Sequence, residues 1–274
     1  MKFRLLLAPL VFTILNCVCG ALGADVQQDT HELATTLDVF RDRYFTANGG
    51  KDKMLSVHSM RVEAVLTRAD GVSGKIVYIK EQPSYMRSIW YGPRGMVLRR
   101  GSNGTKSWEM VTLANGQEKG RIADDMPADV FEWVIANPDS CGAKLEMLPV
   151  ERSERSECYH IAAHFANGKV KDYFVDTTTF SEVRVVETAT DGKKKTFLVQ
   201  APVKFDGIWF PGTQIELNAD GTESNRIEIK DVQLNIGLLP CFFDPPEELL
   251  DKNANAAEQP APVPVKAGTA AESK

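Results

Sequence analysis

A change in the period of the sequence near residue 59 constrains the fold more than any other feature. Before it, apolar residues recur at helical spacing, and Asn48-Gly49-Gly50 ends the segment because glycine adopts the left-handed turn at no steric cost. After it, apolar and polar residues alternate with a period of two, which is typical of strands with one buried face. A single helix followed almost only by strands predicts a mainly β protein whose sheet wraps an apolar surface.

The helix before this change is amphipathic. We expect Asp29 or Thr30 to cap it, and it runs to about Ala47. Its apolar face is formed by Leu33, Leu37, Phe40 and Tyr44. A second short helical piece, from Lys51 to Leu55, leads into the first strand. The Gly49-Gly50 junction therefore joins a covering helix to the sheet, and we predict that it acts as a hinge.

Turns containing glycine and proline divide the rest of the chain into about eleven or twelve strands. Closely spaced strand pairs, joined by turns such as Asp70-Gly71, predict antiparallel hairpins. A sheet of this size should curl or close, because a flat open sheet would expose its edges and an apolar face. Another helix is predicted from Pro127 to Ile135, and it would help to cover that face.

The first 23 residues have the three parts of a secretory signal peptide. Lys2 and Arg4 give a positive start, and an apolar run of about 14 residues follows. That run is too short to span a bilayer comfortably. We expect cleavage after Gly23 and a periplasmic mature protein, with lipidation at Cys17 or Cys19 as an alternative.

The charge of the chain argues against nucleic acid as a partner. There are 32 Lys and Arg residues against 37 Asp and Glu residues, a net charge of −5, and loss of Lys2 and Arg4 takes it to −7. Phosphate backbones require a basic face. We expect one monomeric domain over residues 24–250, followed by a disordered Ala- and Pro-rich tail over residues 251–274.

Three cysteines remain after removal of the signal segment. In an oxidising compartment a disulfide between Cys141 and Cys158 would close a loop and stabilise the fold by ~3 kcal/mol. The odd number leaves a further thiol at Cys241. Three reduced cysteines are the alternative.

No catalytic or metal-binding pattern is recognisable in the sequence. His160 and His164 have the helical spacing of a metal-binding pair, but on a strand these positions stand about 13 Å apart. The sequence has neither a nucleophile elbow nor a phosphate loop. We therefore expect a protein that is not an enzyme and binds neither a metal nor a cofactor.

Apolar and aromatic residues on the predicted strands and the second helix are candidates for the lining of an apolar cavity. They are Met60, Val62, Leu66, Tyr78, Trp90, Trp108, Phe131 and Trp133. Phe131 and Trp133 would lie on a helix that plugs the cavity. An ordinary closed core is the alternative. A local basic cluster of Arg94, Arg99, Arg100 and Lys106 is interpreted as a solvated face, with a docking patch for an acidic partner or lipid head group as the alternative.

The chain resembles the LolA-like, or lipoprotein-carrier, superfamily, in particular bacterial outer membrane lipoprotein-sorting proteins. The resemblance covers most of residues 35–247. It rests on six motifs in order, namely Gly49-Gly50 with Leu55, Val57, Ser59 and Arg61, then Gln82-Pro83, Gly104 to Trp108, Tyr173 to Asp176, Asp206 to Pro211 and Phe242 to Pro246.

This resemblance implies an unclosed antiparallel β-barrel of about 11 strands with covering and plug α-helices. It also implies a non-enzymatic carrier with an apolar cavity for lipid or acylated lipoprotein, and an arginine inside that cavity, for which Arg61 and Arg87 are the candidates. We expect a periplasmic lipid- or lipoprotein-binding, carrier-like protein of the bacterial envelope. The alternative is an envelope stress-sensing or protein-interaction domain on the same fold, with an envelope protein partner and no transport role.

Overall fold

The alternating sequence after residue 59 folds into a large antiparallel sheet. The structure is a computed structural model, and it describes residues 33–122, 133–153 and 156–249. The strands are β1 Ser59–Arg68, β2 Ser73–Glu81, β3 Tyr85–Tyr91, β4 Val97–Asn103, β5 Ser107–Thr112, β6 Glu118–Ile122, β7 Ala143–Ser153, β8 Ser156–Phe165, β9 Val170–Asp176, β10 Glu182–Thr188, β11 Lys194–Gln200, β12 Val203–Phe205, β13 Ile208–Phe210, β14 Thr213–Leu217 and β15 Glu223–Leu234.

Thirteen of these strands form one sheet in the order β6-β5-β4-β3-β2-β1-β15-β14-β11-β10-β9-β8-β7. The two meanders β1–β6 and β7–β11 are joined through β14 and β15, because β15 pairs with β1. Strands β12 and β13 form a separate hairpin. Within the described residues β6 and β7 are the edges of the sheet, so the predicted unclosed, mainly β architecture is confirmed.

The first helix is shorter than predicted. Helix α1 spans Leu37–Ala47, and the side chain of Thr36 caps it by accepting a hydrogen bond from the Val39 amide at 3.3 Å. The predicted caps Asp29 and Thr30 lie outside the described residues. Leu33 precedes the helix and is largely exposed, so it does not belong to the apolar face. Helix α2 spans Lys51–Ser56, and three short 3-10 helices cover Pro93–Gly95, Asp139–Cys141 and Pro240–Phe243.

Helix α1 packs on one face of the sheet, which we call the inner face. Phe40 is fully buried, and its ring meets the ring of Tyr159 on β8 edge to face at 5.1 Å. The same cluster contains Ile161 from β8 and Val175 from β9. Burial of this apolar surface holds α1 over the half of the sheet formed by β7–β10.

The sheet is strongly curved around its inner face. Lys80 on β2 and Lys171 on β9 line one cavity of about 260 Å³. In the strand order, β2 and β9 are six positions apart, which would separate them by about 29 Å in a flat sheet. The two halves of the sheet therefore bend towards each other and enclose the inner face.

The outer face of β2–β6 is covered by the C-terminal part of the described chain. The Trp108 indole is fully buried there, and its Nε1 donates a hydrogen bond to the Phe243 carbonyl at 3.0 Å. Gly101 on β4 lies directly under the indole, since a Cβ at this position would stand only 2.5 Å from two ring carbons of Trp108. Glycine is required here by close approach of the ring to the strand.

The predicted plug helix from Pro127 to Ile135 is wrong where the structure describes it. Residues 123–132, and with them Phe131, lie outside the described residues. Val134, Ile135 and Ala136 form a buried turn instead of a helix. The turn is nevertheless packed into the cluster under α1, so the apolar character of the segment was interpreted correctly and its conformation was not.

The structure contradicts the predicted disulfide. Among the described residues, Cys141, Cys158 and Cys241 form no disulfide. The register pairs Ala143 with Phe165, so Cys141 and Cys158 lie at opposite ends of the β7–β8 hairpin, about 20 Å apart. A disulfide needs Cα atoms within about 7 Å of each other, so Cys141 and Cys158 are too far apart to form one in this fold.

Candidate functional site

An apolar groove on the inner face of β1–β6 is the candidate site. Its floor is formed by Leu66, Ile76, Tyr78, Trp90 and Leu98, and it encloses a cavity of about 530 Å³ that is open to solvent. The cross-strand pairs Ala64–Ile76, Ile76–Trp90 and Trp90–Leu98 place these side chains side by side on one face. A second cavity of about 420 Å³ adjoins it and extends the groove to the edge strand β6.

Three of the residues predicted to line a cavity, Leu66, Tyr78 and Trp90, come together in this groove. Val62 and Met60 lie next to it on β1, in a cluster with Ile208 and Phe210. Met60 also faces the cavity between the two halves of the sheet.

The placement of Trp108 differs from the prediction. Trp108 pairs with Gly101 on β4, which pairs with Arg87 on β3, and all three side-chain positions are on the outer face. Its indole is therefore sealed under Phe243 and cannot reach the groove. Trp133 lies on the inner side, where its ring meets the ring of Phe210 at 6.3 Å.

The hairpin β12–β13, rather than a helix, covers the middle of the inner face. Ile208 and Phe210 are buried against Val62 and Val232. The sequence indicated a turn at Asp206-Gly207 and a family motif from Asp206 to Pro211, but it did not predict the two short strands on either side of the turn. The signal that could have revealed its role was the alternation of Ile208 and Phe210 after the Asp206-Gly207 turn.

This hairpin is tied to the end of α1. The Asn48 side chain accepts a hydrogen bond from the Trp209 amide at 3.0 Å, and the Lys204 ammonium donates to the Ala47 carbonyl at 2.8 Å. Lys53 and Asp206 add an ion pair at 2.8 Å. Any movement at the predicted Gly49-Gly50 hinge would have to break these contacts.

A basic rim borders the groove on β4–β6. Arg100 and Arg121 face the groove from either side of Glu109, whose carboxylate lies 3.4 Å from the Arg100 Nε and 2.8 Å from the Arg121 Nε. The hydrogen bond from Arg121 lowers the pKa of Glu109, and burial opposes that effect only in part. Glu109 therefore bridges the two guanidinium groups at the border of the groove.

The arginines expected inside the cavity from the family resemblance are on the wrong face. Arg61 pairs with Glu63 on the outer side of β1. Arg87 lies between the rings of Trp108 and Phe242 on the outer face and donates to the Phe242 carbonyl at 2.9 Å. The adjacent residues Arg99 and Arg100 lie on opposite faces of the sheet, so the predicted basic cluster is divided between the outer and the inner face.

A charged strip crosses the inner face between the groove and the cluster under α1. Although burial acts to raise it, the charges of Lys171 and Lys169 and their hydrogen bonds hold the pKa of Glu187 below its usual range. Glu182 lines the cavity between the two halves of the sheet and a smaller cavity of about 160 Å³ beside Trp133. Burial raises the pKa of Glu182 to about 7, while the charge of Lys171 opposes the shift. The inner face is therefore apolar in the groove and in the cluster under α1, and it carries titratable side chains between them.

Replacement of Glu182 by glutamine should remove a pH dependence of stability. The pKa of Glu182 is about 7 in the folded protein and about 4.3 in an unfolded chain, so the wild type loses stability as the pH rises through this range. From about pH 5 to about pH 8 the stability advantage of Glu182→Gln over wild type should grow by about 1–3 kcal/mol. Urea denaturation at both pH values measures this difference, and a constant difference would contradict the assignment.

The histidines of β8 form separate ion pairs rather than one site in the part of the chain that the structure describes. His160 pairs with Asp172 at 2.9 Å and His164 with Glu146 at 3.1 Å, as separate pairs. Among the described residues no three His, Cys, Asp or Glu side chains cluster so as to hold a metal ion. None of the described helices has the length and hydropathy needed to cross a membrane.

A curved, unclosed antiparallel sheet with a helix on its inner face and an apolar groove beside it defines a LolA-like fold. The solved structures with this fold include a LolA superfamily protein from Nitrosomonas europaea, which is 13% identical with a TM-score of 0.51, the match covering 77% of this chain and 99% of that one. A DUF1329 family protein from Desulfovibrio piger is 15% identical with a TM-score of 0.50, over 76% of this chain and 97% of that one. Such identities establish the fold alone.

A candidate outer membrane lipoprotein-sorting protein domain from Vibrio parahaemolyticus is 12% identical with a TM-score of 0.47, over 80% of this chain and 97% of that one. Comparison with protein-family models and with curated proteins gives no match. The LolA-like fold of this chain therefore rests on the first two structures and on the topology described above.

Proposed function

We propose that this protein is a non-enzymatic, carrier-like protein of the bacterial envelope that binds the acyl chains of a lipid or lipoprotein in the inner-face groove. The observation that supports this proposal is the groove of about 530 Å³ with Leu66, Ile76, Tyr78, Trp90 and Leu98 on its floor. Folded proteins rarely leave a contiguous apolar surface of this kind open to water unless it binds a partner.

The energetics of the groove suit an acyl chain. Each methylene group transferred from water to an apolar surface contributes about 0.8 kcal/mol, so a chain of ordinary length gains several kcal/mol from the floor of the groove. The strands that form the floor are held in place by backbone pairing on both sides, so the groove is present before binding. An N-terminal signal segment would deliver such a carrier to the periplasm.

The first test is analysis of lipid that remains bound to the purified mature protein, together with titration by a fluorescent fatty acid. We expect co-purified lipid in organic extracts and saturable binding of the probe. Repeated absence of both would remove the proposal. A single stoichiometric protein partner, recovered without lipid, would instead favour an interaction domain on the same fold.

Filling the groove should abolish most of the probe binding. Ser88 lies in the groove between Tyr78 on β2 and Arg100 on β4. In Ser88→Trp an indole occupies the cavity, and affinity for the fluorescent fatty acid should fall by about tenfold or more, which corresponds to a loss of only ~1.4 kcal/mol. Isothermal titration of both proteins measures the change.

Thr67→Trp is the matched control for this variant. Thr67 lies on the outer side of β1, where it pairs with Ser73, so the same indole is added away from the groove. Its affinity for the probe should stay within about twofold of wild type. Equal losses in Ser88→Trp and Thr67→Trp would place the binding elsewhere.

A further inference from the structure

We propose that the groove continues along the inner face to the carboxyl group of Glu182, and that an acyl chain binds there together with a proton. This inference rests on the proposed function and adds its regulation, because acidic conditions then favour binding and alkaline conditions favour release. It is carried by a continuous inner surface and by a β-bulge that directs Glu182 into that surface. A third observation is that the Glu182 carboxyl has no hydrogen-bond partner among the described residues.

The floor of the groove continues across the middle of the sheet. Pairing in sequence across β1, β15, β14 and β11 joins the residues Leu66, Ile227, Gln214 and Val199. Leu66 lines the groove, whereas Gln214 and Val199 line the cavity of about 260 Å³ between the two halves of the sheet. An extended chain that lies along this row would therefore pass from the groove into that cavity.

Glu182 lies where this cavity meets the smaller cavity of about 160 Å³. Glu182 and Val199 line both cavities, and the wall of the smaller one also contains Trp133, Ile208 and Phe210. A chain that enters the smaller cavity would contact these apolar side chains and the carboxyl group of Glu182. The charge of this carboxyl group then affects the free energy of binding.

A β-bulge directs the Glu182 side chain into the two cavities. Val185 lies on the inner face of β10, so regular alternation would place Glu182 on the outer face. The register shifts between Glu182 and Arg184, however, and Glu182 pairs with Val175, which is fully buried in the cluster under α1. The extra residue Val183 thus turns Glu182 inwards, and bulges that redirect a side chain are frequent next to functional sites.

The Glu182 carboxyl can gain a proton without the loss of an ion pair. On the same strand, Glu187 is held by Lys171 at 2.9 Å and by Lys169 at 3.5 Å. Lys171 acts on Glu182 through its charge and forms no hydrogen bond with it. An ionised carboxylate against an apolar chain would lose water without compensation, so a bound chain favours the protonated form of Glu182.

The charged and titratable groups around Glu182 come from four elements. Among the described residues they are Tyr44 on α1, Lys80 on β2, Lys171 and Tyr173 on β9, and Glu187 on β10. Burial, together with the charge of Glu182, raises the pKa of Tyr44, and the pKa of Glu187 lies below its usual range. Neither of these two groups changes charge near neutral pH. The pKa of Glu182 is about 7, so this carboxyl group does.

The affinity for an acyl chain should therefore rise by about tenfold from pH 8 to pH 6. With a pKa of about 7, Glu182 is protonated in about nine tenths of the molecules at pH 6 and in about one tenth at pH 8. The apparent affinity is proportional to the fraction of molecules in the binding-competent state.

The probe for this test is a long-chain alcohol labelled with pyrene, because it has no titratable head group. Fluorescence titration of the mature protein gives the Kd at pH 6 and at pH 8. Equal affinities at the two pH values, or tighter binding at pH 8, would overturn the inference while the proposed function stands.

Glu182→Gln keeps the size of the side chain and removes its charge. This variant should bind the probe with the same affinity within about twofold at both pH values, and about tenfold more tightly than the wild type at pH 8. A tenfold pH dependence that persists in the variant would assign the effect to another group and overturn the inference.

Proton uptake gives a second measurement that a purely structural role of Glu182 would not change. Isothermal titration at pH 8 in two buffers of different ionisation enthalpy counts the protons that accompany binding. The wild type should take up about 0.9 proton for each chain bound, and Glu182→Gln should take up none. Binding to the wild type without proton uptake would contradict the proposed coupling.

Glu228→Gln is the matched control. Glu228 pairs with Val65 on the outer side of the sheet, and its carboxylate lies 2.8 Å from the Lys230 ammonium, so this variant removes a negative charge away from the cavities. It should keep the tenfold pH dependence and the proton uptake, and loss of either would overturn the inference. Failure of the wild type to bind the probe at both pH values would remove the proposed function and the inference together.

Discussion

Replacement of Phe243 by alanine is expected to lower the free energy of unfolding by about 3–5 kcal/mol. The Phe243 side chain is fully buried against Val77 and Ile79 on the outer face of β2, and its ring stacks on Tyr85 at 5.3 Å. The alanine variant would leave a cavity in this cluster and loosen the carbonyl that accepts the hydrogen bond from Trp108. Urea denaturation followed by tryptophan fluorescence measures the loss.

Leu239→Ala is the control for Phe243→Ala, because Leu239 lies in the same C-terminal segment but is 71% exposed. It should change the free energy of unfolding by less than about 0.5 kcal/mol. Folded Phe243→Ala should also bind the fluorescent fatty acid as the wild type does, since Phe243 and the groove are on opposite faces of the sheet. A loss below about 1 kcal/mol would show that the segment is only loosely attached.

Replacement of Asn48 by alanine should lower the free energy of unfolding by about 2–4 kcal/mol. Asn48 is almost completely buried at the end of α1, where its side-chain amide donates to the Tyr44 carbonyl at 2.8 Å and its oxygen accepts from the Trp209 amide at 3.0 Å. Alanine removes both side-chain hydrogen bonds. The Tyr44 carbonyl still accepts from the backbone amide of residue 48, but the Trp209 amide loses its acceptor, and an unpaired buried polar group costs about 1–3 kcal/mol. Urea denaturation again gives the measurement.

Lys53→Ala is the matched control at the same junction. Lys53 on α2 and Asp206 form an ion pair at the β12–β13 hairpin, but their side chains are 36% and 67% exposed. An exposed ion pair contributes about 0–1 kcal/mol, so this variant should be close to wild type. Equal effects of Asn48→Ala and Lys53→Ala would mean that Asn48 does not bridge the helix and the hairpin.

The Asn48 result also bears on whether helix α1 and the β12–β13 hairpin can move away from the inner face. The sequence predicted a hinge at Gly49-Gly50 because these residues join the covering helix to the sheet, and both have positive φ angles, of 83° and 103°. The structure adds that the residue just before them is fixed to the hairpin. Opening of the inner face at this point therefore requires the hydrogen bond between Asn48 and the Trp209 amide to break. The stability lost in Asn48→Ala therefore estimates how strongly this bond holds α1 to the hairpin.

The strand pattern was predictable because alternation reports directly on one-sided burial. The sequence did not predict strand β6 or the hairpin β12–β13, for two different reasons. β6 spans Glu118–Ile122 at the edge of the sheet and is mostly exposed, so it has no alternation to detect. The β12 and β13 strands have only three residues each, too few for a period to be recognised.

The identity of the groove residues was only partly predictable. Leu66, Tyr78 and Trp90 were assigned to the right face, whereas Trp108, Arg61 and Arg87 were not. Strands β2–β5 carry apolar residues on both faces, because helix and hairpin elements cover one side of the sheet and the C-terminal segment covers the other. Alternation separates two faces of such a strand without showing which one encloses the groove.

The sequence by itself determined the class of architecture: a helix ended by Gly49-Gly50, then antiparallel strands in a sheet too large to stay flat. These features are local, since helix caps, turns and alternation depend on residues close together in the chain. Only the tertiary structure decided that Arg100 and Arg121 border an apolar groove while Arg99 and Trp108 lie on its far side. Those positions depend on strand register and on what packs over each face, and a shift of one residue in register would reverse them.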